Sequence, residues 1–481
     1  MKKALLLLIP SFLFALQLPV HKEVLDNGLT VLLHPNKQSP TVSCRLFYVT
    51  GSVHEVPGSS GLAHMLEHEL FKGTRKVGIT DSIADSVFMY KQDSLQALMR
   101  PLIQKGDTTL YLKLKAEHDS IVNEHRKIFV KDELWSTYQA AGGTGLNAFT
   151  SDLMTAYIVT LPKNKVELFL WLEADRMQNA ILREFYSERD VIREERRMRY
   201  DDRPTGRFYE TLNSMIYEAF PYRIPTIGWP SDIENLTREK AAEHYHKYYK
   251  PRNAILVLAG DLDTAEVMPL IKKYFGSIPP GEPFPAITVR DPEQAGEKRL
   301  IVRRQDAPHL LTIVFKTPEV GDPKLYALDI AEGVLNGRSG RLHKRLVQEE
   351  NLAVKVSASN SPNKYVSEFS IQAELEPDAD PAKAEAIIWE ELEKLKVELL
   401  SQRDFQKVKN SAYASLVRSL TDMENVATML AWYEMYGDYH IFLNWASALE
   451  KVSPEDVQKA AQESFSRKKA IIGILTKENA K

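Results

Sequence analysis

The chain has 481 residues, of which 44% are hydrophobic and 26% are charged, and its formal net charge is −3 at pH 7. The length favours two or three domains, and the composition is that of a folded protein with an ample core. The sequence shows no basic stripe, block of like charge or low-complexity tract. It therefore gives no indication of nucleic-acid binding.

The N-terminus has the pattern of a secretory signal peptide. Lys2 and Lys3 precede an apolar run from Ala4 to Ala15. Ala15 is a plausible cleavage position. The run is short for a membrane span, although an uncleaved N-terminal anchor is the alternative interpretation. No cysteine follows this run directly, which argues against lipidation. We therefore predict a signal peptide over residues 1–15 and an exported protein, with the periplasm as its predicted location.

The first predicted elements after the leader are β-strands. Residues 22–34 predict a hairpin around the Asp26-Asn27-Gly28 turn, and residues 41–50 predict a further strand. The latter contains Cys44, the only cysteine of the sequence, which we interpret as a buried small hydrophobic residue rather than a reactive thiol. A loop rich in Gly, Pro and Ser follows over residues 51–60, and a helix is predicted to begin near Gly61.

A long charged stretch follows this helix. Apolar residues at spacings of three and four predict two or more helices from about residue 79 to residue 141. A glycine-rich turn over residues 141–145 leads into the segment LNAFTSDLMTAYIVTLP, which is strand-like with a turn at Ser151-Asp152. We therefore predict helices up to about residue 141, followed by two strand-like segments joined by a turn at Ser151-Asp152.

Two further helices, a strand and a linker complete the first half. The helices are predicted over residues 163–184 and 185–201, and the strand lies within residues 251–263. The segment 276–296 holds five prolines and three glycines. This composition predicts an interdomain linker.

The helix near Gly61 carries the motif H-x-x-E-H, formed by His64, Glu67 and His68. Residues four positions apart lie one turn apart on the same face of a helix, so both histidines can reach one metal ion. Glu67 lies beside them and can act as a base without being a ligand. This order is that of the inverted zinc-peptidase motif. The motif alone leaves open that the histidines are only packed or solvated side chains.

A third ligand is available on the helix predicted over residues 185–201. Glu188 and Glu195 are seven positions apart there, which places them two turns apart on one face. A charged helix of this kind more often has only a solvated face. Beside an H-x-x-E-H helix, Glu195 becomes the candidate third ligand, with Glu188 behind it.

The second half of the chain repeats the first. Residues 236–261 align without a gap with residues 452–477, at a constant offset of 216 positions. Each segment has a helix that begins after Thr or Ser and ends in aromatic residues, followed by an apolar strand. The repeat predicts two similar α+β halves. The helix predicted around residues 324–335 takes the place of the motif helix and has no histidine, so only the first half is expected to be catalytic.

Together these segments resemble the pitrilysin/insulinase metallopeptidase family, nearest its smaller, processing-peptidase-like branch. The resemblance covers nearly the whole chain after the leader. It rests on GLAHMLEHELFKGT, GGTGLNAFTSDLMTAY, FYSERDVIREE, FPYRIPTIGWPSDIENLT and YYKPRNAILVLAGD, in this order. It implies an α+β fold of two homologous, duplicated α/β-sandwich domains that form half of a clam-shell. We expect residues 16–275 to form the zinc-binding domain and residues 297–481 its degenerate copy.

The resemblance also implies the site. Glu67 maps to the catalytic base of a zinc-dependent endopeptidase, and Glu188 maps to a supporting acid. The implied ligands of one zinc ion per chain are His64, His68 and Glu195. Asn147, with Ala148 beside it, maps to the substrate-binding segment. In the family this segment is an edge strand on which peptides pair through their main chains, which is the β-augmentation mode.

Two features depart from the family pattern. His68 and Glu195 are 127 positions apart, which exceeds the usual gap because of a helical insertion over about residues 78–138. The insertion is interpreted as a surface elaboration or, alternatively, as a lid or partner-docking element. The second half lacks the Arg and Tyr that bind substrate in the family, since the matching positions hold Val347 and Val354. Arg345 lies nearby, two positions from the expected arginine.

These departures bear on partners and activity. Active enzymes of the family contain four homologous domains, and this chain supplies two, so it is expected to pair. A heterodimer with a zinc-less paralogue that keeps Arg and Tyr would complete the site, and a homodimer is the alternative. The competing functions are a non-catalytic assembly subunit and a peptide-binding clamp that retains zinc but turns over poorly.

Overall fold

The computed structural model describes residues 18–477, and the predicted signal peptide lies outside these described residues. The chain forms two compact units. The N-terminal unit comprises Val20–Glu293 and Met423–Ala431, and the C-terminal unit comprises Gln294–Asp422 and the described part of Trp432–Lys481. Among the described helices, none has the length and apolar character that a membrane span requires.

Six strands form the sheet of the N-terminal unit: β1 (His21–Val24), β2 (Thr30–Pro35), β3 (Thr41–Tyr48), β4 (Thr144–Thr150), β5 (Thr155–Pro162) and β6 (Ala254–Gly260). Their order across the sheet is β1-β2-β6-β3-β5-β4, so β4 lies at one edge. β2 and β6 run parallel, and the other neighbouring pairs are antiparallel. The predicted hairpins over residues 22–34 and 146–162 are therefore confirmed.

The N-terminal unit also contains the helices α1 (Leu62–Glu69), α2 (Ser82–Lys105), α3 (Thr108–Arg126), α4 (Glu133–Ala140), α5 (Val166–Asn179), α6 (Phe185–Arg196), α7 (Pro204–Ile216), α8 (Pro230–Asn235), α9 (Arg238–Tyr248) and α10 (Thr264–Phe275). The core joins the sheet to α1, α5 and α9 through residues that include Leu46, Leu66, Phe169, Tyr245 and Leu256. Cys44 is fully buried in β3, and burial raises the pKa of its thiol to about 12. This agrees with a structural, unreactive cysteine.

The charged stretch after the motif helix is helical, as predicted. Asp81 caps α2 by accepting hydrogen bonds from the amides of Ile83 and Ala84. α2 ends at Lys105, the following Gly106 has a positive φ of 71°, and Asp107 then caps α3. α2 and α3 therefore form a two-helix hairpin with well-defined ends.

The C-terminal unit has a five-stranded sheet of β7 (Lys298–Arg303), β8 (Leu310–Thr317), β9 (Ala353–Ser361), β10 (Ser367–Leu375) and β11 (Ala470–Thr476). Its helices are α11 (Pro323–Leu335), α12 (Pro381–Val397), α13 (Gln402–Ser419), α14 (Met423–Tyr436), whose first residues belong to the N-terminal unit, α15 (His440–Lys451) and α16 (Pro454–Ser464). The strand order is β7-β11-β8-β10-β9, with β7 and β11 parallel.

The two sheets have the same topology once β1 is set aside. The order β2-β6-β3-β5-β4 corresponds to β7-β11-β8-β10-β9 strand by strand, including the single parallel pair. α16 and β11 begin and end 216 positions after α9 and β6. α11 follows β8 as α1 follows β3. The predicted fold class, two homologous α+β halves, is therefore confirmed.

One predicted helix ends earlier than its sequence pattern suggests. The helix predicted over residues 163–184 stops at Asn179, because Ala180 is extended with ψ of 140°. Its amide donates to the Tyr245 hydroxyl at 3.2 Å, and it forms a β-bridge with Thr74. Contacts between elements distant in sequence thus override the local helical pattern at this position. The helix predicted over residues 185–201 is confirmed, because α6 continues as a π-helical turn over Arg197–Asp201.

The segment between Phe275 and Lys298 contains no helix or strand. This is the stretch in which a linker was expected. The predicted boundaries at residues 275, 276, 296 and 297 remain predictions.

Candidate metal centre

The start of α1 is fixed by the residues before it. Gly61 has a φ of 91°, and a Cβ atom there would lie 2.8 Å from the carbonyl oxygen of Ile227, so the position requires glycine. The carboxylate of Glu55 accepts hydrogen bonds from the amides of Gly61 and Ala63, at 2.7 and 2.8 Å. These bonds satisfy amides that have no partner within the helix, and they hold the motif helix in place.

His64, His68 and Glu195 come together between α1 and α6. One potential ligand atom from each lies within 4.8 Å of the others. Nε2 of His64 is 3.8 Å and Nε2 of His68 is 3.6 Å from the same oxygen of Glu195, Oε2. Two imidazoles and a carboxylate form a donor set that suits zinc and leaves a coordination position for water. The three residues therefore fit one metal ion.

Glu188 holds His68 from the other side of its ring. Oε2 of Glu188 is 3.2 Å from Nδ1 of His68. An ionised carboxylate can only accept, so Nδ1 donates and the ring directs Nε2 toward Glu195. A second carboxylate behind a histidine ligand is a common arrangement in metal sites. Nζ of Lys72 donates to Oε1 of Glu188 at 2.6 Å. Although burial acts in the opposite direction, His68 and Lys72 lower the pKa of Glu188.

The surroundings shift the pKa values of the two histidines in opposite directions. Burial and the proximity of His68 lower the pKa of His64 to about 4, so its imidazole is neutral, as a ligand must be. Burial also disfavours the charged form of His68, but Glu188 and Glu195 outweigh it and raise the pKa of His68 to about 9. The pair of carboxylates thus creates a site that attracts positive charge.

Glu67 is held beside this set by the edge strand of the sheet. The hydroxyl of Thr150, the last residue of β4, donates to Oε2 of Glu67 at 2.6 Å. Burial raises the pKa of Glu67, and the Thr150 bond partly opposes that rise. A carboxylate with a raised pKa next to a metal site is suited to take up and release a proton.

The predicted substrate segment forms the edge strand β4. Asn147 pairs with Ile158 of β5, and its side chain is exposed. Ala148 pairs with Tyr157, and its side chain is buried in the core, which leaves its main chain for any contact with a ligand. No strand of the described chain pairs with the outer edge of β4. Its geometry is that of a strand to which an extended peptide can be added.

Two residues of this site were not predicted from the sequence. Lys72 lies four positions after His68, so helical spacing could have indicated that it reaches the same carboxylates. Thr150 is 83 positions from Glu67, and no local pattern indicates their contact.

The C-terminal unit holds no equivalent set among its described residues. Val354 is 55% exposed on β9, and Val347 packs partly buried against the core. The guanidinium of Arg345 lies 3.0 Å from Glu390 and 3.5 Å from Glu391. The guanidinium of Arg345 is therefore engaged by glutamates of its own unit.

Two protein-family models match the chain. The model described as insulinase (peptidase family M16) matches residues 30–87, which include the H-x-x-E-H motif. The model described as peptidase M16 inactive domain matches residues 235–412. The two matches thus fall on the metal-site region and on the part of the chain without the motif.

Individual relatives agree with the family models. The zinc protease PqqE of Helicobacter pylori is 28% identical over 458 residues, which cover 93% of this chain and 91% of the relative. The uncharacterized zinc protease YmxG of Bacillus subtilis is 24% identical, and the match covers 70% of this chain and 69% of YmxG. The crystal structure of a protease from Helicobacter pylori matches with a TM-score of 0.80 and 26% identity, over 96% of this chain and 100% of the other.

A larger structure matches in part. The periplasmic protease PqqL from Escherichia coli has a TM-score of 0.72 at 16% identity, and the match covers 95% of this chain but 47% of PqqL. At this identity the match concerns the fold alone. This chain therefore has the fold of about half of that larger protein.

Proposed function

Because the chain belongs to the insulinase (M16) family of peptidases, we propose that it is a zinc-dependent endopeptidase that hydrolyses peptides or unfolded segments. The observation that carries the proposal is the convergence of His64, His68 and Glu195, with Glu67 held beside them by Thr150. Each residue of this group has the chemical type that its role needs. The names of the relatives as zinc proteases support the same activity.

The three converging residues would hold the zinc ion. When bound, zinc polarises a substrate carbonyl and lowers the pKa of a water molecule to about 7. Glu188 keeps the ring of His68 oriented, and Lys72 keeps Glu188 ionised. These outer contacts support the geometry of the ligands without touching the substrate.

Glu67 acts as the general base and then as the general acid. It takes the proton of the attacking water and returns it to the nitrogen of the leaving amine. The bond from Thr150 keeps its carboxylate beside the histidines in both states. No covalent enzyme intermediate is required. The outer edge of β4 is proposed to pair with the substrate backbone, next to the exposed side chain of Asn147.

The proposed assembly is a heterodimer with a zinc-less paralogue that supplies Arg and Tyr. Its basis is that Val347 and Val354 occupy the corresponding positions here and that Arg345 is engaged by glutamates. A homodimer is the alternative. The leader-like N-terminus supports export, with the periplasm as the proposed location.

A second candidate function is a peptide-binding or assembly subunit with little or no turnover. The same two valines favour it, as does the match of residues 235–412 to an inactive-domain model. It differs from the first candidate in one measurable property, which is turnover when a complementary partner is present.

The test is hydrolysis of an unstructured fluorogenic peptide by the purified chain, alone and mixed with a candidate paralogue. We expect activity that a chelator removes and zinc restores, and that rises in the mixture. Glu67→Gln should lower kcat about 100-fold or more, the usual size of a general-base contribution. Glu194→Gln, at an exposed glutamate on the same helix as Glu195, is the matched control and should leave kcat unchanged.

Each outcome separates the candidates. Full activity from the chain alone would favour the homodimer and show that the two valines are tolerated. Activity only in the mixture would support the divided site. Zinc binding without turnover in either sample would overturn the peptidase proposal and favour the binding subunit.

A further inference from the structure

A cleft of about 540 Å³ lies on the side of α6 that faces away from the metal centre. It is lined by residues of α2, α3, α6 and α8, all in the N-terminal unit. On α6 the lining residues Tyr186, Asp190 and Arg193 follow one helical face, whereas Glu188 and Glu195 follow the opposite one. The cleft is therefore separate from the candidate metal centre, although both use the same helix. Its volume is in the range of small-molecule sites.

Positive charge is in excess in this cleft. The cationic lining residues are Arg100, Lys115, Arg126, Arg189 and Arg193, and the acidic ones are Asp119, Asp190 and Glu234. The acidic residues are already paired: Asp119 with Lys115 at 2.6 Å, and Asp190 and Glu234 with Arg193 at 3.3 Å each. Arg126 lies 3.6 Å from Glu184, a residue that does not line the cleft. Two guanidinium groups, those of Arg100 and Arg189, are left without a carboxylate.

Arg189 is the more informative of the two. Its Nη1 donates only to the carbonyl oxygens of Glu234 and Leu236, at 3.4 and 3.2 Å, and its guanidinium lies over the ring of Tyr186 at 5.3 Å. Its Nε is buried and has no hydrogen-bond partner among the described residues. Burial lowers its pKa, and the like charges of Arg193 and Arg100 act in the same direction, whereas the charge of Asp190 opposes them.

A half-buried cation without a counter-charge is unfavourable, because it has lost water without gaining an ion pair. A guanidinium also presents several N–H groups in a fixed plane, which matches a phosphate or a carboxylate. Arg100 lines the cleft from α2, is exposed, and makes no hydrogen bond or ion pair with the described residues. An anion between the two would compensate both charges.

We propose that this cleft binds a small molecule that carries a phosphate or carboxylate group, with Arg189 at its base and Arg100 at its rim as the anion-binding residues. The exposed side chain of Ile103, which also lines the cleft, provides apolar surface for the remainder of the ligand. The proposal concerns binding and does not depend on peptidase activity.

The test is isothermal titration calorimetry of the full chain at constant ionic strength with inorganic phosphate, adenosine monophosphate and succinate as probes. The first two probes carry phosphate and the third carries carboxylates, so the comparison distinguishes the two anion types. We expect saturable binding of at least one probe. Arg189→Gln should weaken it at least tenfold, and Arg100→Gln severalfold. Arg197→Gln, at an exposed arginine that pairs with Glu194 outside the cleft, is the matched control and should not change it.

The absence of saturable binding by all three probes would overturn the proposal. So would binding that persists unchanged in both cleft variants, since the anion would then lie elsewhere, for example at the metal centre. If Arg189→Gln does not fold, Arg100→Gln decides, because Arg100 is exposed and its loss removes no described contact.

Discussion

Glu67 depends on a single neighbouring side chain for its orientation. The hydroxyl of Thr150 is 2.6 Å from its carboxylate, and it comes from a strand on the other side of the insertion. A hydrogen bond to a charged group contributes about 1.5–3 kcal/mol. At the scale of the residue, the proposed base is therefore positioned by the same strand that is proposed to bind the substrate.

Substitution of Thr150 tests this link. Thr150→Val keeps the shape of the side chain and removes the donor, so we expect kcat to fall about tenfold or more, which corresponds to about 1.4 kcal/mol, with KM nearly unchanged. Thr150→Ser restores the donor and should recover most of the rate. Steady-state kinetics on the fluorogenic peptide measures both. Equal losses in the two variants would mean that Thr150 acts through packing.

The helix α6 contributes side chains to both the candidate metal centre and the cleft. Glu188 and Glu195 lie two turns apart and reach the two sides of the His68 ring, and Lys72 closes the set by binding Glu188. The periodicity of the helix explains why both acids face α1. The opposite face carries Arg189 and Arg193, which line the cleft.

Loss of the Glu188 charge should weaken metal binding rather than abolish it. Contacts behind a metal ligand typically change affinity by about 10- to 100-fold. We expect Glu188→Gln to raise the zinc dissociation constant by that factor, as measured by competition with a chromogenic chelator. Glu194→Gln should leave it unchanged. An unaltered dissociation constant in Glu188→Gln would remove Glu188 from the metal site.

The corresponding helix of the C-terminal unit, α11, carries a partly buried acid instead of histidines. Glu332 accepts a hydrogen bond from the Asn360 amide at 3.0 Å, and burial raises its pKa from 4.5 to about 7. The folded state therefore holds this proton more tightly than the unfolded state. The resulting stabilisation is fully present below pH 4.5 and is lost as the pH rises through about 7.

We expect the C-terminal unit to lose about 2–3 kcal/mol of unfolding free energy between pH 5 and pH 8 from this group. Glu332→Gln cannot titrate and should remove that dependence. The change in unfolding free energy is measured by hydrogen exchange of α11 at both pH values, corrected for intrinsic exchange rates. Glu393→Gln, at an exposed glutamate of α12, serves as the control. A Glu332→Gln protein with the same pH dependence as the wild type would contradict the assignment.

At the scale of the whole molecule, all three candidate ligands belong to the N-terminal unit. A ligand that binds only the folded state stabilises it by about 2.7 kcal/mol at a hundredfold excess over the dissociation constant. Removal of zinc should therefore speed hydrogen exchange in α1 and α6 and leave α11 and α16 unchanged. Equal acceleration in both units would contradict a metal site confined to the first.

The chain consists of two similar halves, and the sequence repeat predicted this duplication. The offset of 216 positions between α9 and α16 and between β6 and β11 appears in the sequence alignment and again in the element bounds. The early end of α5 was not readable. Ala180 leaves the helix because its amide donates to the Tyr245 hydroxyl and its main chain forms a β-bridge with Thr74. Both partners lie far away in sequence.

The sequence by itself determined which residues share a helical face, because helix periodicity is a local property. This placed His64 with His68, and Glu188 with Glu195, and it indicated two similar halves. Only the tertiary structure decided which faces meet. α1 approaches α6 across the insertion, Thr150 reaches Glu67 from β4, and Arg189 remains without a carboxylate. These contacts follow from the packing of elements far apart in the chain, which local spacing does not encode.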